Sequence, residues 1–184
     1  MAVAKEVGTI ISLDGGAQRY DEDMKPITEA SHIVIVARDY AEKYTGTTNL
    51  EEACRIIHER GACIAGVTDG ANGSYFVWPD GTFYRCEPFT QSTVVDTTGA
   101  GDSFHGAFLA NLVHTINHMK GQDTTSTTKN DCASMHAVEL LKACADSDLE
   151  KASIFASAVA SLNTQGIGGR SPLPTLQSVQ ELIG

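Results

Sequence analysis

The sequence lacks any long hydrophobic run, any CxxC pair and any cluster of basic residues. No stretch approaches the roughly 20 apolar residues that a membrane-spanning helix needs, and no signal-peptide core is present. The five cysteines have no metal-ligand spacing, which favours free thiols in a reducing, cytoplasmic compartment. The 13 Lys and Arg residues against 23 Asp and Glu residues give a net charge of −10. Neither a membrane nor a nucleic acid is therefore an expected partner.

What the sequence does contain is a regular alternation of short β-rich runs with helical segments. The predicted strands lie at 9–14, 31–36, 62–68, 74–78, 82–86 and 93–95, with a Pro-Asp-Gly hairpin turn between the fourth and fifth. The predicted helices lie at 20–30, 38–44, 49–60, 100–119, 134–144 and 148–163, with a last one after Pro174. This order predicts an α/β sandwich with a largely parallel sheet. We expect one domain over residues 1–184, with an exposed loop insertion at about 120–134.

The most informative segment is Asp96-Thr-Thr-Gly-Ala-Gly-Asp102, which follows a β-rich run and opens the longest predicted helix. Its Gly-Ala-Gly turn presents free backbone N–H groups at a helix N-terminus, where the helix dipole also favours an anion. Asp102 would repel a resting phosphate. Its presence therefore favours a base that acts on the nucleophile attacking that phosphate.

Three better-known glycine motifs do not fit this segment. A Walker A loop needs a lysine after the glycines, and none is present. A dinucleotide-binding GxGxxG loop needs glycine where Phe104 stands, which disfavours a dinucleotide-binding module. A hydrolase GxSxG elbow needs glycine where His105 stands.

The segment resembles the second signature of the ribokinase-like (PfkB) family of carbohydrate and nucleoside kinases. Other parts of the chain resemble the C-terminal half of these kinases in the same order: the run at 9–14 with its sheet-edge Asp14, the Thr-x-Gly-x-x-Gly turn at 68–73 and the late loop at 163–169. The resemblance implies a ribokinase-like three-layer sandwich that lacks the family's N-terminal half and lid. It also implies ATP-dependent phosphorylation of a hydroxyl on a sugar or nucleoside.

The same resemblance implies a role for each matching residue. Asp102 would be the general base, and the N–H groups of Gly99, Ala100 and Gly101 would form the anion hole. ATP would be carried with Mg²⁺ bound to its phosphates. The expected nucleotide contacts are Thr68, Gly70, Gly73, Thr97, Asn163 and Gly166. Asp96 and the carbonyl of Thr98 match positions that hold a monovalent cation such as K⁺.

Two departures from the family pattern leave alternatives open. Residues 37–40, Ala-Arg-Asp-Tyr, stand where many members carry Asn-x-x-Glu, so that Mg²⁺ and phosphate network is absent or reassigned. Residues 1–8 resemble the tail of a helix that feeds a strand, so the chain is expected to begin within the fold. The alternative to an active kinase is therefore a non-catalytic remnant that binds ATP or a partner, such as a second copy or the missing half. The acceptor stays undefined.

Histidines outside the signature carry weaker signals. His105 lies three residues after Asp102 and could line the pocket, although a structural role is favoured. His114 and His118 have the i, i+4 spacing of metal ligands, but no third ligand is evident and a solvated helix face is the better interpretation.

Overall fold

Five strands form one mixed sheet in the computed structural model, which describes residues 8–122, 137–169 and 173–184. The strands are β1 (Ser12–Gly15), β2 (Ile33–Ala37), β3 (Ile64–Thr68), β4 (Ser74–Val77) and β5 (Phe83–Cys86). The helices are α1 (Lys25–Ala30), α2 (Arg38–Thr45), α3 (Leu50–Glu59), α4 (Ala100–Gln122), α5 (Ala137–Lys142), α6 (Asp146–Asn163) and α7 (Leu176–Ile183).

The strands lie in sequence order across the sheet, from β1 at one edge to β5 at the other. The β1–β2 and β2–β3 pairs are parallel, while β4 is antiparallel to both β3 and β5. Four of the five strands therefore point the same way, and the predicted largely parallel sheet is confirmed. Because β1, β2 and β3 are parallel, their carboxyl ends meet at one edge, where ligands of such sheets usually bind.

Helices cover both faces of the sheet, which gives three layers. Alternate residues of a strand point to opposite faces, so Val34 and Val36 pack with α2 and α3, whereas Ile33 and Ile35 pack with α4, α5 and α6. All four side chains are almost fully buried. The continuous apolar run of β2 thus follows from burial on both faces.

Aromatic stacking anchors α4 to the sheet. The Phe76 ring on β4 stacks on the Phe108 ring at 5.5 Å and on the Phe104 ring at 6.3 Å between centroids. Trp78 extends the stack at 4.8 Å from Phe76 and is fully buried. These contacts fix the position of α4 over the sheet.

The predicted strand at 93–95 is wrong. The N–H groups of Val95 and Asp96 donate to the carbonyl of Thr164 at 2.8 and 3.2 Å, so this segment is bound by the loop after α6 and not by a neighbouring strand. Both Val94 and Val95 are more than half exposed. The β-branched residues alone indicated a strand, but hydrogen bonding to the loop determines the local structure.

Other boundaries differ by a few residues. β1 begins at Ser12 and not at residue 9, because the N–H of Ile11 donates to the His32 ring at 3.0 Å. Residues 22–24 form a 3₁₀ turn before α1, so the helix predicted at 20–30 is shorter. Helix α4 continues to Gln122, past the predicted end at 119 and into the predicted insertion. The rest of that insertion, residues 123–134, lies outside the described residues.

Two further properties concern the described residues alone. Their four cysteines, Cys54, Cys63, Cys86 and Cys144, are buried and free. No helix among them combines the length and the apolar character that crossing a bilayer requires.

Replacing Phe108 with alanine tests the packing of α4. Phe108 is fully buried against Phe76, so we expect Phe108→Ala to lower the free energy of unfolding by about 3–5 kcal/mol in urea titrations. Val113 on the same helix is 55% exposed, and Val113→Ala should change this free energy by less than about 0.5 kcal/mol. Equal effects of the two substitutions would contradict the packing described.

Candidate functional site

The residues of the predicted signature meet the carboxyl edge of the sheet. β1 and β3 end there at Gly15 and Thr68, and the N-terminus of α4 begins at Ala100 after the glycine turn. Residues 69–73 follow β3 and form a tight turn, in which the N–H of Asp69 donates to the carbonyl of Gly73 at 2.9 Å. The edge therefore combines a helix N-terminus with a glycine-rich turn.

Asp96 joins the turn before α4 to the loop after α6. One carboxylate oxygen accepts the N–H of Thr98 at 2.9 Å, and the other accepts the N–H of Gly168 at 2.9 Å. These backbone hydrogen bonds, first that of Thr98 and then that of Gly168, lower the pKa of Asp96 because they stabilise its anion. The carboxylate thus holds two distant chain segments together.

The same two segments touch through glycine backbones. Gly99 has φ +78, a conformation that L side chains rarely adopt, and a Cβ placed on it would lie 2.5 Å from the Cα of Gly169. A Cβ on Gly169 would lie 3.2 Å from the Cα of Gly99. Glycine is therefore required at Gly99 for both conformation and space.

The N-terminus of α4 offers unused hydrogen-bond donors. The N–H of Ala100 donates to the carbonyl of Thr97 at 3.2 Å, and that of Ser103 donates to the carbonyl of Gly99 at 2.8 Å. Within the described chain, no acceptor is recorded for the N–H groups of Gly99, Gly101 and Asp102. The Asp102 side chain is exposed beside them. The turn can therefore bind an anion next to a carboxylate.

Asn163 lies behind the turn. It is fully buried at the end of α6, and its Nδ2 donates to the carbonyl of Thr98 at 3.3 Å. Its Oδ1 has no hydrogen-bond partner among the described residues. Two acceptor oxygens, Thr98 O and Asn163 Oδ1, thus lie close to Asp96.

A pocket of about 350 Å³ opens beside the α4 N-terminus. Of the nucleotide contacts expected from the sequence, Thr68, Gly70, Gly73 and Thr97 line it, and Asn163 and Gly166 do not. Two residues of the expected anion hole, Ala100 and Gly101, also line it. The wall is mostly apolar, as small-molecule sites usually are. The structure thus brings the turn after β3 and the start of α4 to one cavity.

Several wall residues were not expected from the sequence. Residues 88–91 carry no motif, and only the structure shows that they cover the pocket. On α6 and at its C-cap a signal was present: small residues recur at i, i+3, i+4 and i+7, which places them on one side of the helix. These pocket residues are Ser157, Ala160, Ser161 and Thr164.

The turn at 69–73 also connects to β2. A Cβ on Gly73, whose φ is +91, would lie far inside van der Waals contact with the Cys86 carbonyl oxygen, so this turn needs glycine. Arg38, in the segment that departs from the family pattern, donates to Asp69 at 2.8 Å and to Glu42 at 2.9 Å. These exposed ion pairs contribute little to stability, but they connect the end of β2 to the turn.

His105 lies on α4 away from the pocket wall. It is 8% exposed, and its Nε2 lies 2.9 Å from the Ser12 hydroxyl on β1. The structural role favoured by the sequence agrees with this hydrogen bond. His114 and His118 are both exposed on α4.

Replacing Gly99 with alanine tests the glycine contact. Because Gly99 has a positive φ and the Gly169 backbone lies close to it, Gly99→Ala should lower the free energy of unfolding by roughly 2 kcal/mol or more. Chemical denaturation measures this difference. Gly101 is the matched control, because a Cβ there meets no described atom within 4 Å and alanine favours a helix. A Gly99→Ala variant as stable as Gly101→Ala would show that the two turns do not touch.

Replacing Asp96 with asparagine tests the carboxylate clamp, by which we mean the two hydrogen bonds from the N–H groups of Thr98 and Gly168 to the Asp96 carboxylate. A lowered pKa in the folded state contributes stability that is fully present above the unfolded value of 3.8 and is lost as pH falls through the folded value. The stability difference between wild type and Asp96→Asn should therefore be constant near neutral pH and shrink below about pH 4. Asp23→Asn, at an exposed site, is the control for the loss of one negative charge. A difference that does not change with pH would contradict the clamp.

Comparisons with known proteins indicate the family of this chain. The chain matches the model of the pfkB family carbohydrate kinase over residues 2–176. It is 34% identical over 89 residues to the cytidine kinase of Thermococcus kodakarensis, an alignment that covers 47% of this chain and 31% of that protein.

Solved structures share the fold. The ribokinase of Giardia lamblia has a TM-score of 0.74 at 20% identity, covering 98% of this chain and 52% of that one. The fructokinase of Vibrio cholerae O395, solved with fructose, ADP and a calcium ion, has a TM-score of 0.72 at 20% identity, covering 100% and 53%. The chain thus spans about half the length of these structures, and the expected ribokinase-like fold is confirmed. By the match to its family model, the chain belongs to the pfkB family of carbohydrate kinases.

Proposed function

We propose that this chain provides the nucleotide-binding and catalytic part of an ATP-dependent phosphotransferase that phosphorylates a hydroxyl of a sugar or nucleoside. The observation that carries the proposal is the N-terminus of α4. There, N–H groups without an acceptor among the described residues lie with the exposed carboxylate of Asp102 beside a pocket. An anion hole adjoining a base is the arrangement that transfer of a phosphoryl group to a hydroxyl requires.

The pocket suits the base and ribose of a nucleotide. Its volume of about 350 Å³ and its mostly apolar wall resemble those of small-molecule sites. Thr68, Gly70 and Gly73 would lie along the phosphates, since glycine lets the backbone approach an anion closely. A Cβ on Gly73 would clash with the backbone carbonyl of Cys86 and with Pro88, so the shape of this wall depends on glycine.

The phosphates would lie against the start of α4. When bound, ATP with its Mg²⁺ supplies the phosphoryl group that is transferred. The N–H groups of Gly99 and Gly101 would donate to the oxygens of that group and stabilise their charge. The described residues contain no group of three His, Cys, Asp or Glu side chains suited to hold a metal ion. The fructokinase of similar fold, solved with ADP and calcium, supports this role for the nucleotide site.

Asp102 would act as the general base. Its carboxylate would take the proton of the acceptor hydroxyl as the hydroxyl oxygen bonds to the phosphorus of the transferred group. The P–O bond to ADP breaks at the same time, ADP leaves with that electron pair, and the proton then resides on a carboxylate oxygen. Its exposed position in the first turn of α4 leaves space for the acceptor.

A monovalent cation such as K⁺ would bind behind the anion hole. The available oxygens are the Asp96 carboxylate, the Thr98 carbonyl and the unpartnered Oδ1 of Asn163. A buried oxygen without a donor is costly, and a cation there would satisfy it. The Asp96 and Thr98 oxygens also accept hydrogen bonds from the chain, so the cation would share them.

Replacing Asp102 with asparagine tests the base. Asparagine is close in size but does not accept the proton, so ADP release in the presence of acceptor should fall by about 10²–10⁴-fold. ATP binding, measured by calorimetric titration, should persist. The measurement uses a panel of sugars and nucleosides, because the acceptor is unidentified.

His114→Gln, at an exposed position on the same helix, is the matched control and should release ADP at the wild-type rate. Full turnover by Asp102→Asn would remove Asp102 from this role. ATP binding by the wild type without ADP release for any acceptor would favour the alternative, a remnant that binds ATP without catalysis. We retain this alternative because the chain covers only about half of the similar structures.

A further inference from the structure

A second polar cluster lies under the N-terminus of α4, away from the nucleotide pocket. It consists of Ser12 and Asp14 on β1 with Asp102 and His105 on α4, and we call it the β1–α4 cluster. None of these four residues lines the pocket. The family signature assigns a role to Asp102 alone.

The alternation of β1 brings the cluster together. Ile10 packs in the core beneath α4, whereas Leu13 packs on the opposite face with α2 and α3. Because side chains of a strand alternate between faces, Ser12 and Asp14 point with Ile10 towards α4. His105 follows Asp102 by three positions, which places both on one side of the helix.

His105 is the buried member of the cluster. It is 8% exposed, and one ring nitrogen, Nε2, lies 2.9 Å from the Ser12 hydroxyl. The other ring nitrogen, Nδ1, is buried and has no partner among the described residues. Leaving such an atom unpaired is costly, so His105 is a polar residue retained in the fold at the start of α4.

Charges link the members of the cluster. Burial lowers the pKa of His105, and the negative charges of Asp14 and then Asp102 act against this effect. Partial desolvation raises the pKa of Asp14. The attraction of His105 lowers this pKa, and repulsion from Asp102 raises it. β2 presents the apolar Ile33 and Ile35 on this face. The two aspartates and the imidazole therefore lie within electrostatic reach of one another, with Asp14 exposed to incoming ligand.

The cluster lies on the opposite side of the α4 N-terminus from the nucleotide. The pocket reaches α4 from the side of β3, through Thr68, whereas Asp14 lies on β1, two strand spacings or about 10 Å across the sheet. A general base that lies between the nucleotide and the acceptor has the nucleotide on one side and the acceptor on the other. Carboxylates accept hydrogen bonds from hydroxyl groups, and those bonds are stronger than neutral ones.

We propose that Asp14 is a specificity-determining residue that accepts a hydrogen bond from a second hydroxyl of the acceptor, with His105 as the polar floor of that subsite. The inference rests on the proposed function, because it takes Asp102 as the base at the first hydroxyl. The ligand class is a compound with neighbouring hydroxyls, found both in a free sugar and in the ribose of a nucleoside.

Nuclear magnetic resonance of the imidazole tests this subsite without requiring turnover. The full chain is titrated separately with D-ribose, D-fructose and cytidine, and the Cε1–H resonance of His105 is followed. We expect a saturable shift of that resonance with at least one compound and none for His114. Asp14→Asn should abolish the shift. A response to ribose or fructose identifies a sugar acceptor, and a response to cytidine alone identifies a nucleoside.

Absence of a His105 shift with all three compounds, or an equal shift in Asp14→Asn, overturns the proposal. Because Asp14 is exposed, Asp14→Asn should keep the wild-type circular dichroism melt. Asp14→Ala, which changes size as well as charge, serves as the second variant and should also abolish the shift.

Kinetics separate this inference from the proposed function. With the acceptor found in the panel, Asp14→Asn should raise KM for the acceptor by about 10- to 100-fold, because one hydrogen bond to a charged group is lost. KM for ATP should stay unchanged. A loss in kcat alone would contradict the subsite. Asp102→Asn should keep the ligand-induced shift of His105 while losing turnover, so failure of the base assignment is seen independently of Asp14.

Discussion

The contact between the backbones of Gly99 and Gly169 is the constraint on which the site depends. No side chain fits between them, and the Asp96 carboxylate binds an N–H on each side of the contact. Because the first glycine opens α4 and the second follows α6, this contact sets the distance between the two helices at the carboxyl edge. The pocket wall includes residues of both helices, such as Phe104 and Ser161, so its width depends on that distance.

Packing of α4 on the sheet adds rigidity below the contact between Gly99 and Gly169. Phe76 stacks on Phe108 below the site, and this buried aromatic packing offsets the cost of leaving polar groups unpaired above it. The groups that lack a partner among the described residues include N–H donors at the start of α4, Asn163 Oδ1 and His105 Nδ1. They surround one helix terminus, which is where a site prepared for an anion and a hydroxyl would need them.

The sequence was most informative where a pattern had one physical explanation. The apolar run of β2 and the glycine-rich signature before α4 are of this kind, since burial and helix-terminus chemistry leave few alternatives. The segment at 93–95 has β-branched residues but hydrogen-bonds to Thr164, a partner about 70 positions away that no local pattern identifies. The pocket residues at 88–91 and the approach of Asp14 to His105 likewise depend on tertiary packing. The roles of Asp102 and the cation ligands remain predictions.

The two sides of the α4 N-terminus differ in how completely the described residues enclose them. On the side of the proposed nucleotide pocket, the turn after β3, residues 88–91 and α6 surround a cavity. On the side of the proposed acceptor subsite, β1 is the edge strand, and within the described residues no further strand pairs beyond it. Asp14 lies on this edge strand and is exposed. The described residues therefore enclose the proposed acceptor subsite less completely than the proposed nucleotide pocket, because one is built on a sheet edge and the other lies between a turn and two helices.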